Sequence, residues 1–174
     1  DYFAPSDRPQ IPGRLVFEGS MAFGPNQLAG IHLVTEVMPL VWAQRPDATV
    51  TLVGRDPSAE ILALRSDRVQ VTGSVPDVRP YVQEAEVFVC PLLSGAGIKN
   101  KLLQAWAMGK SIVATSFSVG GLAARDGENI LVRDGAAAFS AAVLALLQDH
   151  SYCSRLGAAG RRTVERDSSW AAKA

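Results

Sequence analysis

Cysteine, histidine and net charge are what this chain has least of. Its 174 residues include two cysteines and two histidines, and seventeen basic side chains cancel seventeen acidic ones. Two cysteines, Cys90 and Cys153, cannot build a disulfide framework, and with so few histidines and scattered carboxylates neither a zinc nor a calcium site is expected. Cys90 ends an apolar run and reads as a reduced core thiol, which points to a reducing, cytoplasmic setting. Zero net charge argues against a protein that grips nucleic acid by bulk electrostatics. No apolar run approaches the 18 or so residues of a spanning helix, and no signal-peptide pattern opens the chain. Also missing are the two common nucleotide motifs. Gly19 and Gly24 have the spacing of a P-loop, but Pro25 and Asn26 stand where Lys and Ser or Thr are required. Gly95 and Gly97 begin a dinucleotide fingerprint that Asn100 breaks at the third glycine.

What the chain has in quantity is apolar surface: 48% of it is hydrophobic and only 20% charged. That composition offsets the entropy of ordering and excludes a disordered chain. The length suits one domain. Residues 1–13 are polar and Pro-rich and start with Asp1, so they read as a linker cut from a longer protein. Residues 14–170 then form the domain and 171–174 a tail.

Short apolar runs alternate with amphipathic stretches. Strands are expected at Arg14 to Glu18, Thr49 to Val53, Val69 to Thr72, Val87 to Cys90, Ser111 to Thr115 and Ile130 to Val132. Helices are expected at Leu28 to Gln44 (kinked by Pro39), Ser58 to Ser66, Val78 to Glu84, Ile98 to Met108, Ala136 to Leu147 and Tyr152 to Arg166, with Asp134 as the N-cap of the fifth. Continuously apolar strands separated by helices imply a doubly wound, Rossmann-like α/β domain with a parallel sheet of about six strands. Such sheets bind ligands beyond the carboxyl ends of their strands. The segments to search are therefore Gly19 to Asn26, Gly54-Arg55, Gly73 to Pro76, Leu92 to Gly97 and Ser116 to Leu122. Three of them open with glycine, which serves either a tight turn or the close approach of a ligand.

The richest segment is Ser94-Gly95-Ala96-Gly97, which runs into a helix carrying Lys99, Lys101 and Gln104. Helical spacing puts Gly97, Lys101 and Gln104 on one face and Ile98, Leu102, Ala105 and Trp106 on another. Lysines near a helix N-terminus oppose its dipole, a placement that an anion would relieve. The plain alternative is an amphipathic helix with solvated Lys and Gln. His32 reads as a packing or surface residue rather than a base. Arg155, Arg161, Arg162 and Arg166 form either a solvated face or a contact with a further domain or acidic lipid headgroups.

Gly97 to Thr115 (GIKNKLLQAWAMGKSIVAT) resembles the donor-site signature of GT-B glycosyltransferases of the group 1 type. The resemblance continues through Phe17-Glu18-Gly19-Ser20-Met21 with Pro25-Asn26, Pro46-Asp47-Ala48, Val71 to Val75 with Asp77-Val78 and Tyr81, Gly121-Leu122, Gly127 to Val132, and Trp170. It implies the C-terminal half of an enzyme that transfers sugar from a nucleotide-sugar to a glycan or lipid-linked acceptor, as in cell-envelope polysaccharides. An N-terminal GT-B domain would supply most of the acceptor site, so the half alone would be inactive. No metal and no cofactor is implied beyond the nucleotide-sugar itself, which is a substrate. Carried over, Gly73, Ser74 and Val75 would hold the base and Gln104 the ribose. Gly95, Ala96, Gly97 and Ile98 would hold the diphosphate, with Gly19 and Arg55 nearby, and Lys101 would stabilise the leaving nucleotide. Three departures stand out: Ala96 and Gln104 occupy positions that are acidic in many members, and no Arg or Lys lies between Gly19 and Gln44. They suggest, as alternatives, a degenerate GT-B domain kept for binding or assembly, or a sugar-nucleotide epimerase on the same fold.

Overall fold

Six parallel strands form one sheet in the order β3-β2-β1-β4-β5-β6. They are β1 (Ile11–Glu18), β2 (Thr49–Val53), β3 (Val69–Val71), β4 (Ala85–Cys90), β5 (Ser111–Ala114) and β6 (Leu131–Val132). The coordinates are a computed structural model that describes residues 2–95 and 100–167. All residues of β4 and β5 are buried, as expected of central strands covered on both faces. The order reverses between β1 and β4, and the carboxyl ends of strands at such a switch are where ligands bind in sheets of this kind.

Seven α-helices join the strands: α1 (Gly24–His32), α2 (Met38–Trp42), α3 (Ala59–Leu62), α4 (Arg79–Glu84), α5 (Asn100–Ala107), α6 (Ala136–Gln148) and α7 (His150–Asp167). The expected helix Leu28 to Gln44 begins earlier, at Gly24, and contains a π-helical turn at Leu33–Val37. Pro39 explains the turn. It has no N–H to give the preceding carbonyls, and the Met38 N–H bonds Leu33 O five residues back.

Other boundaries also differ. β1 starts at Ile11, inside the stretch read as linker, because Gly13 at φ 74 carries the strand through an irregular pairing that looks like a loop in sequence. α3 stops at Leu62, four residues before the expected end, and Ser58 caps it by accepting the Ile61 N–H. Asp134 does not cap α6. Gly135, at φ 77, takes the N-cap position, and the Asp134 carboxylate instead accepts the Ser116 N–H at 2.9 Å. The tail residue Trp170 lies outside the described residues.

Candidate functional site at the strand-order switch

Glu18 ends β1, and the chain turns at Gly19 into the loop that leads to α1. Lys101 reaches this point from the first turn of α5. Its Nζ donates to the Glu18 backbone oxygen at 2.7 Å and to Asn26 Oδ1 at 2.9 Å, and it lies 4.9 Å from the Phe17 ring centroid. Asn26, buried, donates its own amide to Ser20 O at 3.0 Å. One ammonium thus joins α5, the end of β1 and the first turn of α1. Gly19 is glycine because that ammonium needs its space: a Cβ there would stand 2.6 Å from Lys101 Nζ. Gly54 would likewise drive a Cβ into the Gly19 carbonyl. At these two turns the close approach comes from protein.

The sequence argument that Lys101, opposing the helix dipole, awaits an anion therefore has another answer. Two oxygens of the fold already meet its charge. Lys101 and Gln104 line one narrow hollow with Glu18, together with Ala105, which the spacing put on the other face. Leu102, Ala105 and Trp106 turn inward, as the helical spacing predicts. Burial pushes the Glu18 carboxyl above its ordinary value near 4.5, and the charge of Lys101 pulls it part of the way back.

Gly73 turns at φ 74 with open space beside it, and Ser74 is exposed at the tip of the same loop. Val75 is half-buried against the core. The loop ends in a clasp where Arg79 bonds both carboxylate oxygens of Asp77 at 2.8–3.0 Å. These bonds hold the Asp77 carboxyl below the usual carboxylate range. Arg55 is exposed, with Asp56 at 3.9 Å, while its backbone oxygen accepts the Met21 N–H and ties the β2 loop to the β1 loop. Gly95, at φ 113, packs on Pro25, so the loops after β4 and β1 touch. Ala96, Gly97 and Ile98 lie outside the described residues, and so does Lys99.

Glu18 and Asn26 are the site residues that reasoning from sequence passed over. The signal for Glu18 was a lone acid closing an apolar strand, and for Asn26 an amide just after the glycine-rich turn that follows it. His32 is half-buried at the last residue of α1. Arg161 is committed to Glu165 at 2.7 Å and to the Ala107 carbonyl at 2.8 Å. Both cysteines are buried and free. Among the described residues no group of three His, Cys, Asp or Glu side chains could hold a metal ion, and no helix is long and apolar enough to cross a membrane.

The sequence pattern of the group 1 glycosyl transferases matches residues 12–149. The chain belongs to that family. The lipopolysaccharide core biosynthesis glycosyltransferase LpsE of Rhizobium meliloti is 34% identical over 101 residues, which is 57% of this chain and 29% of LpsE. The fold matches the C-terminal domain of LpcC, a group 1 family protein of Francisella tularensis, with a TM-score of 0.74 at 14% identity over 96% of each chain. It also matches Anabaena HepE, whose structure holds UDP and glucose, with a TM-score of 0.72 at 13% identity, covering 88% of this chain and 44% of HepE. The glycosyltransferase domain described here spans about a third of the length of the curated relatives it matches, 29% and 35%.

Proposed function

We propose that this domain binds the nucleotide-sugar donor of a glycosyltransferase that passes the sugar to a glycan or lipid-linked acceptor. The observation that supports the reading is the reversal of strand order at β1/β4, with Lys101 of α5 anchored at the carboxyl end of β1 beside the Gly19 turn. HepE, bound to UDP and glucose, supports the donor class, and LpsE supports an envelope glycan as acceptor. The Gly73 turn leaves backbone open to a base, with Ser74 and Val75 beside it. Gln104 meets the ribose, and Gly95 approaches the diphosphate.

Transfer breaks the bond between the anomeric carbon and the diphosphate oxygen, and negative charge grows on the departing nucleotide. Lys101, held by Glu18 O and Asn26 Oδ1, sets a fixed positive charge at the carboxyl end of β1. A charge already in place acts on that oxygen without reorganising. Arg55, exposed and only loosely paired, can swing toward the phosphates. A second GT-B domain facing the carboxyl ends of the strands supplies the acceptor site and the base. The same hydrogen bonds on Lys101 also favour a second reading, in which the ammonium is wholly structural and the domain binds without catalysing.

Calorimetric titration of UDP, GDP and ADP tests the donor reading. One of the three is expected to bind, with an affinity at least tenfold weaker in Lys101→Met, on the order of one charge–phosphate contact. No heat from any of them at millimolar concentration would refute it. Binding that Lys101→Met leaves intact would favour the structural reading of that lysine.

A further inference from the structure

A cleft of about 320 Å³ opens at the amino end of the sheet, away from the loops assigned to the donor. That volume is at the lower end for pockets that hold small ligands. The starts of β4 and β5 form its floor, α7 one side, and the irregular segment 5–10 the outer wall. Small residues make the room: Gly109 and Ser111 where the chain enters β5, and Ser154 and Ala158 one turn apart on α7. The outer wall is tied down beyond the cleft, by Arg8 to Glu84 at 2.8 Å and by Arg79 to Tyr2 O at 3.0 Å.

Two opposite charges are sunk in the floor, since Lys110 is 3% exposed and Glu86 7%. Neither has a full set of partners among the described residues. An ammonium carries three N–H donors, and Lys110 gives two of them, to Gln83 O and Ala85 O, each at 2.7 Å. Glu86 Oε2 accepts the Gly13 N–H at 2.7 Å, whereas Oε1 meets His150 Nδ1 at 3.7 Å, beyond hydrogen-bond length. Burial lowers the Lys110 pKa to about 8 although Cys153 and Glu86 pull it up, which marks a charge short of compensation. Arg161, on the α7 side, binds Glu165 and the Ala107 carbonyl through Nε and Nη1, and neither bond uses Nη2.

Chemistry narrows the ligand. Lys110 and Arg161 would repel a metal cation, and an apolar body would deepen the burial of both floor charges without pairing either. A bare oxyanion suits the ammonium but is repelled by Glu86. Both charges are met by an oxyanion and O–H donors carried on one small body. The amides of Gln10 and Gln83, which also line the cleft, can donate or accept beside it.

We propose that this cleft binds an acidic monosaccharide, its carboxylate or phosphate accepting from Lys110 and Arg161 and its hydroxyls donating to Glu86. The site is separate from the donor reading and stands whether or not a nucleotide binds at the other end of the sheet.

Calorimetry with glucuronate and glucose 6-phosphate tests it, with glucose and inorganic phosphate as the controls that carry only hydroxyls or only charge. At least one acidic sugar is expected to bind one per chain, about tenfold or more tighter than either control, and which one binds identifies the oxyanion. Lys110→Met should weaken that binding at least tenfold, and Glu86→Gln should bring the sugar and phosphate to within about twofold of each other. Thermal melting identifies a variant that has lost its fold. Ser154→Leu, which fills the cleft from the α7 side and leaves every charge in place, then carries the test and should abolish binding. Hydrogen exchange with the sugar bound should slow amides in residues 6–10 and 109–111. No binding of either acidic sugar overturns the proposal, as does phosphate binding equally well (an adventitious ion only). Full affinity in Ser154→Leu, or protection confined to residues 19–26, overturns it too.

Discussion

Two lysines nine residues apart in one stretch of sequence, Lys101 and Lys110, meet different fates because of where their helix begins and ends. Lys101, in the first turn of α5, comes up at the carboxyl end of the sheet, where Glu18 O and Asn26 Oδ1 receive it. Lys110 follows α5 at the opposite end and is almost fully buried. Its ammonium donates to Gln83 O and Ala85 O, each at 2.7 Å. Burial lowers its pKa from 10.5 to about 8, against the pull of Cys153 and Glu86. Between those two values the unfolded chain holds a proton that the folded one has released, so stability rises with pH through that window. Urea midpoints measured from pH 8 to 10 are expected to climb in the wild type relative to Lys110→Met, with a full effect of up to about 3 kcal/mol. A flat difference between the two proteins across the window would contradict the assignment. Neither lysine's role can be read from its neighbours in sequence, since every oxygen involved lies on another element.

Elements dock here through glycine as much as through leucine. α7 carries Gly157 and Gly160 on the face that meets α5 and β5. A Cβ at Gly160 would strike the Trp106 ring, and one at Gly157 would strike the Gly109 carbonyl. Trp106 is fully buried and its indole N–H donates to Asn129 O at 2.9 Å, so the ring has no room to retreat. Gly160→Ala should therefore destabilise the domain by about 1–3 kcal/mol, despite alanine's better helix propensity, because overpacking at a fixed ring outweighs it. Equilibrium denaturation would show this, and a variant as stable as the wild type would mean that α7 sits elsewhere. Periodicity predicted the existence of α7 and four of the five other expected helices to within a few residues. It overran α3, which stops at Leu62, after which Arg65 reaches across to the Val71 carbonyl at 2.9 Å. It also gave the cap of α6 to Asp134, which had a better partner on another loop.

At the scale of the molecule, strand order gathers the ligand-facing loops at one end of the sheet and leaves Glu86, Lys110 and Cys153 at the other. The donor reading makes a directional prediction from that separation. Hydrogen exchange with the bound nucleotide should slow amides in residues 19–26, 73–79 and 92–95 and leave those around Lys110 and Cys153 unchanged. Protection confined to the Lys110 end would place the ligand on the wrong side of the fold. By itself the sequence determined the α/β class, the apolar strands, the inward face of α5 and the family, because these follow from composition, period and local motif. Only the tertiary structure decided what Lys101 touches, why Gly19 and Gly54 must be glycine, and that Glu18 and Gln104 line one hollow. Each depends on side chains brought together from distant points of the chain, and a parallel sheet fixes such meetings by strand order, which no local pattern carries.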